Sequence, residues 1–373
     1  MLTKKKVVFL SSAHHPLDDR IFYHLAESLK DEMEVIIVSS CAEINEVIDG
    51  KNVRSTMKHN SSKRAKINYF REQLLQFEPE IVICSEPLPI FASWKFKSKS
   101  KTSCKIIYDV TEFYPSKKNL HGTKGLKRFA LKCIMKCWNR YASRKVDAFI
   151  FGEHNKSLYY RSLFKSIPYS FISYYPDLKY IQLEQKQRSK PFVLGYTGKF
   201  TEEKGLLNFG HALNKLQMQL SPESFRVVMI GWFPNEKDKG TFKKLTKGIT
   251  IETRDVVPYT DFAESLKDVD LFFDLREADK ENNLCLPIKL YFFSAMHKPM
   301  IYTDLQAIRD VHPEIKHCML TDPTDYSYIS NKIIQLFQDV KHYEKLSSES
   351  ELFAKEFQWN TIKNEFVEFI KEV

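Results

Sequence analysis

The chain of 373 residues is poor in glycine, with eleven in all and none before residue 50. The first half therefore has no G-x-G-x-x-G turn, and a nicotinamide or flavin dinucleotide loses its usual phosphate loop there. No run of eighteen apolar residues occurs, so no membrane-spanning helix is expected. The apolar run from Val7 to Leu10 is too short for a signal peptide and suits a first buried strand. Seven cysteines lack metal-ligand spacing. The closest pair, Cys133 and Cys137, falls on one helix face without a His or Cys partner set. An odd, unpatterned set fits a reducing cytoplasm. Low-complexity stretches are missing too, and 43% of the residues are hydrophobic, as in a globular protein.

What is present is positive charge, a formal +10. It favours anionic partners: phosphate, nucleic acid or an acidic membrane surface. Helix-turn-helix, zinc and RNP signals are lacking, so nucleic acid is not expected as a partner.

Short apolar runs alternate with amphipathic stretches. The first series is KVVFL (6–10), EVIIVSS (34–40), EIVICSE (80–86), CKIIYDV (104–110) and VDAFIFG (146–152), with a polar stretch at 42–65. A second begins after a charged segment: FVLGYTG (192–198), FRVVMIG (225–231), ITIETRDVV (249–257), VDLFFDL (269–275), KPMIYTD (298–304) and HCMLTD (317–322). Such alternation predicts an α/β chain of two Rossmann-like parallel-sheet domains facing a cleft, where open parallel sheets bind ligands. The expected division is 1–176, a linker at 177–190, 191–352, and a C-terminal helix at 353–373 returning to the first domain.

Three stretches carry candidate chemistry. SSAHHPLDDRIFYHL places His14, His15, Asp18, Asp19 and Arg20 in a loop after the first strand. The same residues could be a polar turn in which either Asp caps a helix. GYTGKFTEEKGLLNF sets Lys199 and Lys204 between a buried strand and a helix opening near Gly205, an arrangement able to hold a diphosphate. In LPIKLYFFSAMHKPMIYTDL, Pro287 suits a helix first turn whose free amides could bind phosphate. Its aromatics, Tyr291 to Phe293, read as core. Asp268 and Asp270 read as structural, with no metal expected.

In order along the chain, HPLDDRIFYHLAESL, IIYDVTEFYP, YYPDL, YTGKFTEEKGL, VVPYTDFAESLKDVDLFFDL and LPIKLYFFSAMHKPMI resemble the GT-B retaining glycosyltransferases of family 4, of the bacterial cell-surface polysaccharide type. The resemblance implies a nucleotide-sugar donor, no cofactor and no obligatory metal. Lys199, Lys204, Ile288 and Lys289 would bind the diphosphate. Trp232, Val257, Tyr259, Glu281 and Phe292 would border the base and ribose. His15, Asp18, Asp19 and Arg20 would face a glycan or lipid-linked acceptor, and Asp109, Glu112 and His15 are the catalytic candidates. The pathway implied is capsule, lipopolysaccharide or exopolysaccharide synthesis.

Departures from the pattern matter. The family's ribose-binding acid falls on Phe292, an earlier acid on Leu284, its histidine on Thr111, an Asn on Tyr174 and a Gly on His297. An impaired homologue that binds or scaffolds is the alternative. Glu277, Asp279 and Glu281, in a polar loop just upstream, are the candidates to replace that acid.

Finally, residues 94–145 hold fifteen Lys and Arg against Asp109 and Glu112. At 124–145, Leu126, Phe129, Ala130, Cys133, Ile134, Cys137, Trp138 and Tyr141 share one helix face, beside Lys124, Arg128, Lys132, Lys136, Arg140 and Arg144. An apolar face alone would suit packing on a sheet. The one-signed charge points to an anionic membrane, hence to a cytoplasmic protein peripheral at the inner face of the plasma membrane.

Overall fold

A computed structural model describes residues 4–59, 62–100, 103–112, 114–115, 120, 122–181, 183 and 188–373. Two compact units emerge: Met1–Tyr174 with Ile362–Val373, and Tyr175–Thr361. Of the expected linker, residues 182 and 184–187 lie outside the described residues.

Unit 1 holds eight strands: β1 (Lys6–Ser11), β2 (Glu34–Ser39), β3 (Ile44–Ile48), β4 (Lys51–Ser55), β5 (Ile81–Cys84), β6 (Lys105–Val110), β7 (Ala148–Phe151) and β8 (Tyr169–Phe171). Their order is β3-β4-β2-β1-β5-β6-β7-β8, parallel except for edge strand β3. Strands β1, β5, β6 and β7 are buried on both faces, which is why they read as unbroken apolar runs. Within the expected polar stretch at 42–65, residues 44–55 form the β3–β4 hairpin. Its turn is Asp49-Gly50, both at positive φ (47° and 78°), the conformation that an Asp-Gly hairpin loop adopts. β3 exposes Asn45, Glu46 and Val47, so it leaves no apolar signature.

Unit 2 is a six-stranded parallel sheet of β9 (Phe192–Lys199), β10 (Phe225–Trp232), β11 (Ile251–Arg254), β12 (Leu271–Asp274), β13 (Met300–Thr303) and β14 (Cys318–Thr321). The order is β11-β10-β9-β12-β13-β14. Side chains alternate across it. Phe192, Leu194 and Tyr196 join one core with Phe209 and Leu213, while Val193 joins another with Leu290 and Phe293.

A π-helical segment, Asp19–Ala26, follows β1 and is capped by Asp18, whose side chain accepts from the amides of Arg20 and Ile21. Arg20 runs back into unit 1. Its Nε and Nη2 donate to the two Asp109 oxygens at 2.7 and 2.8 Å, and the Tyr174 ring lies 4.3 Å from the guanidinium carbon. Both ionic side chains are buried, so each charge depends on the other. Asp109→Ala should destabilise the protein by roughly 3–5 kcal/mol by leaving the guanidinium uncompensated. Urea unfolding is the measurement, and a loss below about 1 kcal/mol would mean that Arg20 finds another anion.

Candidate functional site

The carboxyl end of the unit 2 sheet gathers most of the expected donor residues. β9 ends at Gly198 and Lys199, and β10 beside it at Gly231 and Trp232. The two glycines let these strand ends close up. A side chain on Gly231 would place its Cβ 1.8 Å from the Gly198 carbonyl oxygen, and both have positive φ. Gly205 (φ 87°) begins helix α1 (Leu206–Gln217) against the Leu275 backbone, where a Cβ would lie 2.2 Å from its carbonyl carbon. The 199–204 loop is thus pinned at both ends.

Across this loop stands α2 (Ile288–Ala295), entered from Pro287. Lys289, in its first turn, donates from Nζ to the Thr197 carbonyl at 2.6 Å and lies 3.6 Å from Asp274 Oδ2. Burial pulls the Lys289 pKa down, Asp274 opposes this, and the charges of Arg276 and Lys204 add to the depression. Lys289 and Arg276 thus share Asp274 as their counter-ion. Asp274 holds them together: it accepts from Arg276 through both oxygens and from the Tyr302 hydroxyl at 3.1 Å. Burial works against its ionisation, but Arg276 and Lys289 keep its carboxyl far below the ordinary range. Lys199 is exposed, its Nζ 5.6 Å from the centre of the half-exposed Trp232 ring. Ile288 is exposed at the helix entrance. Sequence reading passed over Asp274 and Arg276, although their two-residue spacing at a strand end is the signal for side chains on one face.

Phe292 is core. It is 7% exposed, and its ring meets the edges of Tyr259 and Phe262 at centroid distances of 5.9 and 6.2 Å. Tyr259, half-buried like Val257, accepts from the Asp177 amide. Of the proposed ribose substitutes, Asp279 caps a short helix by accepting from the amides of Glu281 and Asn282, Glu277 is exposed, and Glu281 is half-buried. Leu284 is exposed. His297, in the family's glycine place, adopts a left-handed φ of 57° and ends α2 as a glycine would. Asp268 pairs with Arg226 and Arg254, and Asp270 accepts from the amides of Ser189 and Val193.

In unit 1 the expected acceptor and catalytic residues separate. Asp109 is not an available base, being sealed beneath Arg20 in the ion pair described above. Arg20 is likewise structural. His15 is exposed, and its Nδ1 accepts from the Leu17 amide. His14 faces inward instead, with Nδ1 3.2 Å from Asp18 Oδ2 and Nε2 3.7 Å from Glu86 Oε1. Burial lowers its pKa, but the hydrogen bond to Asp18 and the charges of Asp18, Glu86 and Glu112 carry it up to about 9. Asp19, half-buried, is pushed up to about 7 by burial and by Asp18. The Thr111 carbonyl accepts from Lys156 Nζ at 2.7 Å and from the Tyr174 hydroxyl at 3.2 Å. Glu112 is exposed.

With this geometry in view, residues 191–339 match the family described as glycosyl transferases group 1. The whole chain has the GT-B fold. Sucrose-phosphate synthase from Thermosynechococcus elongatus superimposes with a TM-score of 0.75 at 12% identity, over 99% of either chain. HepE from Anabaena in complex with UDP-glucose gives 0.71 at 12% identity, over 99% of this chain and all of that one. A glycosyltransferase from Rickettsia africae gives 0.70 at 14%, over 99% and 98%. No curated protein matches the sequence.

Two outcomes follow from this geometry. Phe292→Glu should lose about 3 kcal/mol or more of stability, because a carboxylate replaces a ring packed against Tyr259 and Phe262. Unfolding by urea measures it; an unchanged midpoint with tighter nucleotide binding would return the position to the ribose. For His14 the folded pKa is raised, so its contribution to stability is complete below pH 6.5 and fades as the pH rises through about 9. NMR titration of the ring should show the high midpoint, and Asp18→Asn should bring it down towards 6.5. A midpoint unmoved in that variant would assign the effect to Glu86.

Proposed function

We propose that the protein transfers a hexosyl group from a nucleotide sugar to a glycan or lipid-linked acceptor, with retention of configuration, in the synthesis of a cell-surface polysaccharide. The observation that carries this reading is Lys289, held by the Thr197 carbonyl at the glycine-lined end of β9, beside the loop that carries Lys204. Backbone there is open to close approach by a diphosphate, and the cations stand beside it. In the reaction the anomeric carbon–oxygen bond to the diphosphate breaks and a new one forms to the acceptor hydroxyl oxygen on the same face. The hydroxyl proton is released. Charge builds on the departing diphosphate, and fixed cations stabilise it without reorganising. Lys199, the first-turn amides at Ile288 and Lys289, and Trp232 complete the donor side, with Val257 and Tyr259 towards the base. The cations support a reading in which the diphosphate is held without an obligatory metal. HepE, solved with UDP-glucose, supports a uridine diphosphate sugar as the first donor to try.

The acceptor side of the reading falls to unit 1. The helix Gly125–Ser143 exposes Leu126, Phe129 and Ile134, with the basic band from Lys124 to Arg144 also exposed. It packs instead through Leu131, Met135, Asn139 and Ala142. Among the described residues no helix is long and apolar enough to cross a membrane. This supports attachment at the cytoplasmic face of an anionic membrane, where lipid-linked acceptors are presented.

Calorimetry with a panel of nucleoside diphosphates, in the presence of a chelator, tests the donor reading. One diphosphate should bind, and Lys204→Ala should weaken it about tenfold or more while leaving the nucleoside unaffected. Silence with every diphosphate would favour the impaired homologue.

A further inference from the structure

The β3–β4 hairpin extends the first sheet beyond its core. In register, Asn52 and Arg54 of β4 lie beside Ile36 and Val38 of β2, and Asn45 of β3 lies beside Arg54. These residues therefore share one face of the sheet. On its inner part that face is apolar: Ile36 and Val38 join the core with Tyr69, Phe70 and Leu74 of the helix Lys63–Phe77. At the hairpin the face turns polar, and a recess of about 680 Å³ opens between it and the helix. That volume falls within the range of small-ligand sites, roughly 300–1,000 Å³. Glu43, Asn45, Arg54 and Thr56 line it from the hairpin side, and Tyr69, Gln73 and Gln76 from the helix. None of the donor residues lines it, and neither does His15, Asp18, Asp19 or Arg20.

The polar groups are held in place by the hairpin itself. Glu43 Oε1 accepts from the Thr56 hydroxyl at 3.1 Å and from the Met57 amide at 2.7 Å. Ser55 Oγ donates to the Ala42 carbonyl at 2.8 Å and accepts from the Ala42 amide at 3.1 Å. Arg54 donates to the Asn45 side-chain oxygen, and the Tyr69 hydroxyl donates to the Arg54 carbonyl at 3.3 Å. That last bond ties the helix to the hairpin. Bonding capacity is left over. Among the described residues no hydrogen bond engages Asn45 Nδ2, Glu43 Oε2 or the amides of Gln73 and Gln76.

The lining narrows the ligand. Glu43 offsets Arg54, and Lys58 is exposed at the rim, so a phosphate would meet little net charge. A single carboxylate with one oxygen already bonded is too little for a divalent cation. Tyr69 is only 7% exposed and offers no open ring face to a nucleobase. Ile44 and Tyr69 are too small an apolar surface for an acyl chain. What the recess does supply is planar donors and acceptors side by side. A sugar hydroxyl both donates and accepts, so carboxylate, amide and guanidinium together satisfy it in both senses. Because those groups are already fixed, little side-chain entropy is lost on binding.

We propose that this recess binds an uncharged stretch of about two or three sugar units, and that it holds the glycan chain on which the transferase works by units other than the one being extended. The sugar class follows from the lining. That the bound chain is the acceptor glycan rests on the transferase reading.

Calorimetry with the full chain tests it, with three uncharged hexasaccharides as probes: cellohexaose, maltohexaose and isomaltohexaose. At least one should bind. The double variant Q73A/Q76A should weaken that binding about tenfold. Alanine favours a helix, so this variant keeps its fold, and its nucleoside diphosphate binding should be unchanged. Asn45→Ala removes a group from the opposite wall and should weaken the hexasaccharide several-fold. No binding of any of the three, or binding that Q73A/Q76A and Asn45→Ala both leave unchanged, overturns the proposal. So does displacement of the bound hexasaccharide by a lower concentration of glucose 1-phosphate, which would make the recess an anion site. Nucleoside diphosphate titration of the same samples reads the transferase separately. Hexasaccharide binding without diphosphate binding would sink the transferase reading and leave the saccharide site. Diphosphate binding without hexasaccharide binding would do the reverse.

Discussion

The proposed donor side depends on one buried carboxylate. Asp274 sits at the end of β12 with almost no exposure, between Arg276, Lys289 and the Tyr302 hydroxyl. An isolated charge at that depth would be protonated or would unfold the strand end. Here two cations and a hydroxyl keep it ionised, and it in turn lets those cations stand close together in the absence of a ligand. Lys289 has three donors. Thr197 takes one at 2.6 Å, and Asp274 at 3.6 Å holds the ammonium by its charge. The lysine is therefore fixed at the strand end before any diphosphate arrives, and little side-chain entropy remains to be lost on binding. The same neutralisation limits its pull on an anion, so neighbours with less compensation must contribute. Lys204, whose nearest acid is Glu203 at 3.7 Å, is such a neighbour.

Unit 1 treats charge differently. Arg20 and Asp109 cancel each other in a bidentate pair beneath Tyr174, and nothing of either is offered to a substrate. Their work is to tie the segment after β1 to the end of β6. Because that segment is anchored, His14 and Asp18 are held beside Glu86 on the adjoining β5 loop. A histidine between two carboxylates is a poor base at neutral pH, since its proton is stabilised from both sides. Its chemistry is that of a cation and hydrogen-bond donor, suited to orienting an anionic ligand.

The legible and illegible parts of the chain differ for physical reasons. Strands β9, β10, β12 and β13 stand out in the sequence because they are mostly apolar and largely buried on both faces, whereas edge strand β11 exposes Glu252 and Thr253. The β3–β4 hairpin does not stand out, because β3 turns Asn45, Glu46 and Val47 to solvent and its only mark is Asp49-Gly50. Helix Gly125–Ser143 was readable as a helix, but its packed side was not. Leu131, Met135, Asn139 and Ala142 are buried or half-buried, while the more apolar face stays exposed. Hydrophobicity marks a stripe without saying whether protein or lipid covers it. His14 and His15 are adjacent and chemically alike; only the path of the backbone turns one towards Glu86 and the other to solvent. Lys199, Lys204 and Lys289 were visible because loop motifs keep their order, whereas Asp274 and Arg276 look like ordinary residues at the end of a strand.

Phe292 shows how such a site can shift its balance. An acid in that place would offer a ribose a charge-assisted hydrogen bond, about 1.5–3 kcal/mol. A buried phenyl ring returns about the same amount to folding, roughly 1.5–3 kcal/mol. The two magnitudes are comparable, so the substitution moves stabilisation from ligand to fold without a large net loss. It also has a mechanical effect. Phe292 lies one turn after Lys289 on α2, and its contacts with Tyr259 and Phe262 brace the turn that carries the lysine. Under the proposed transferase reading, nucleotide recognition would lean on the diphosphate more than on the ribose, and discrimination among bases would fall to the loops at Trp232 and Val257–Tyr259.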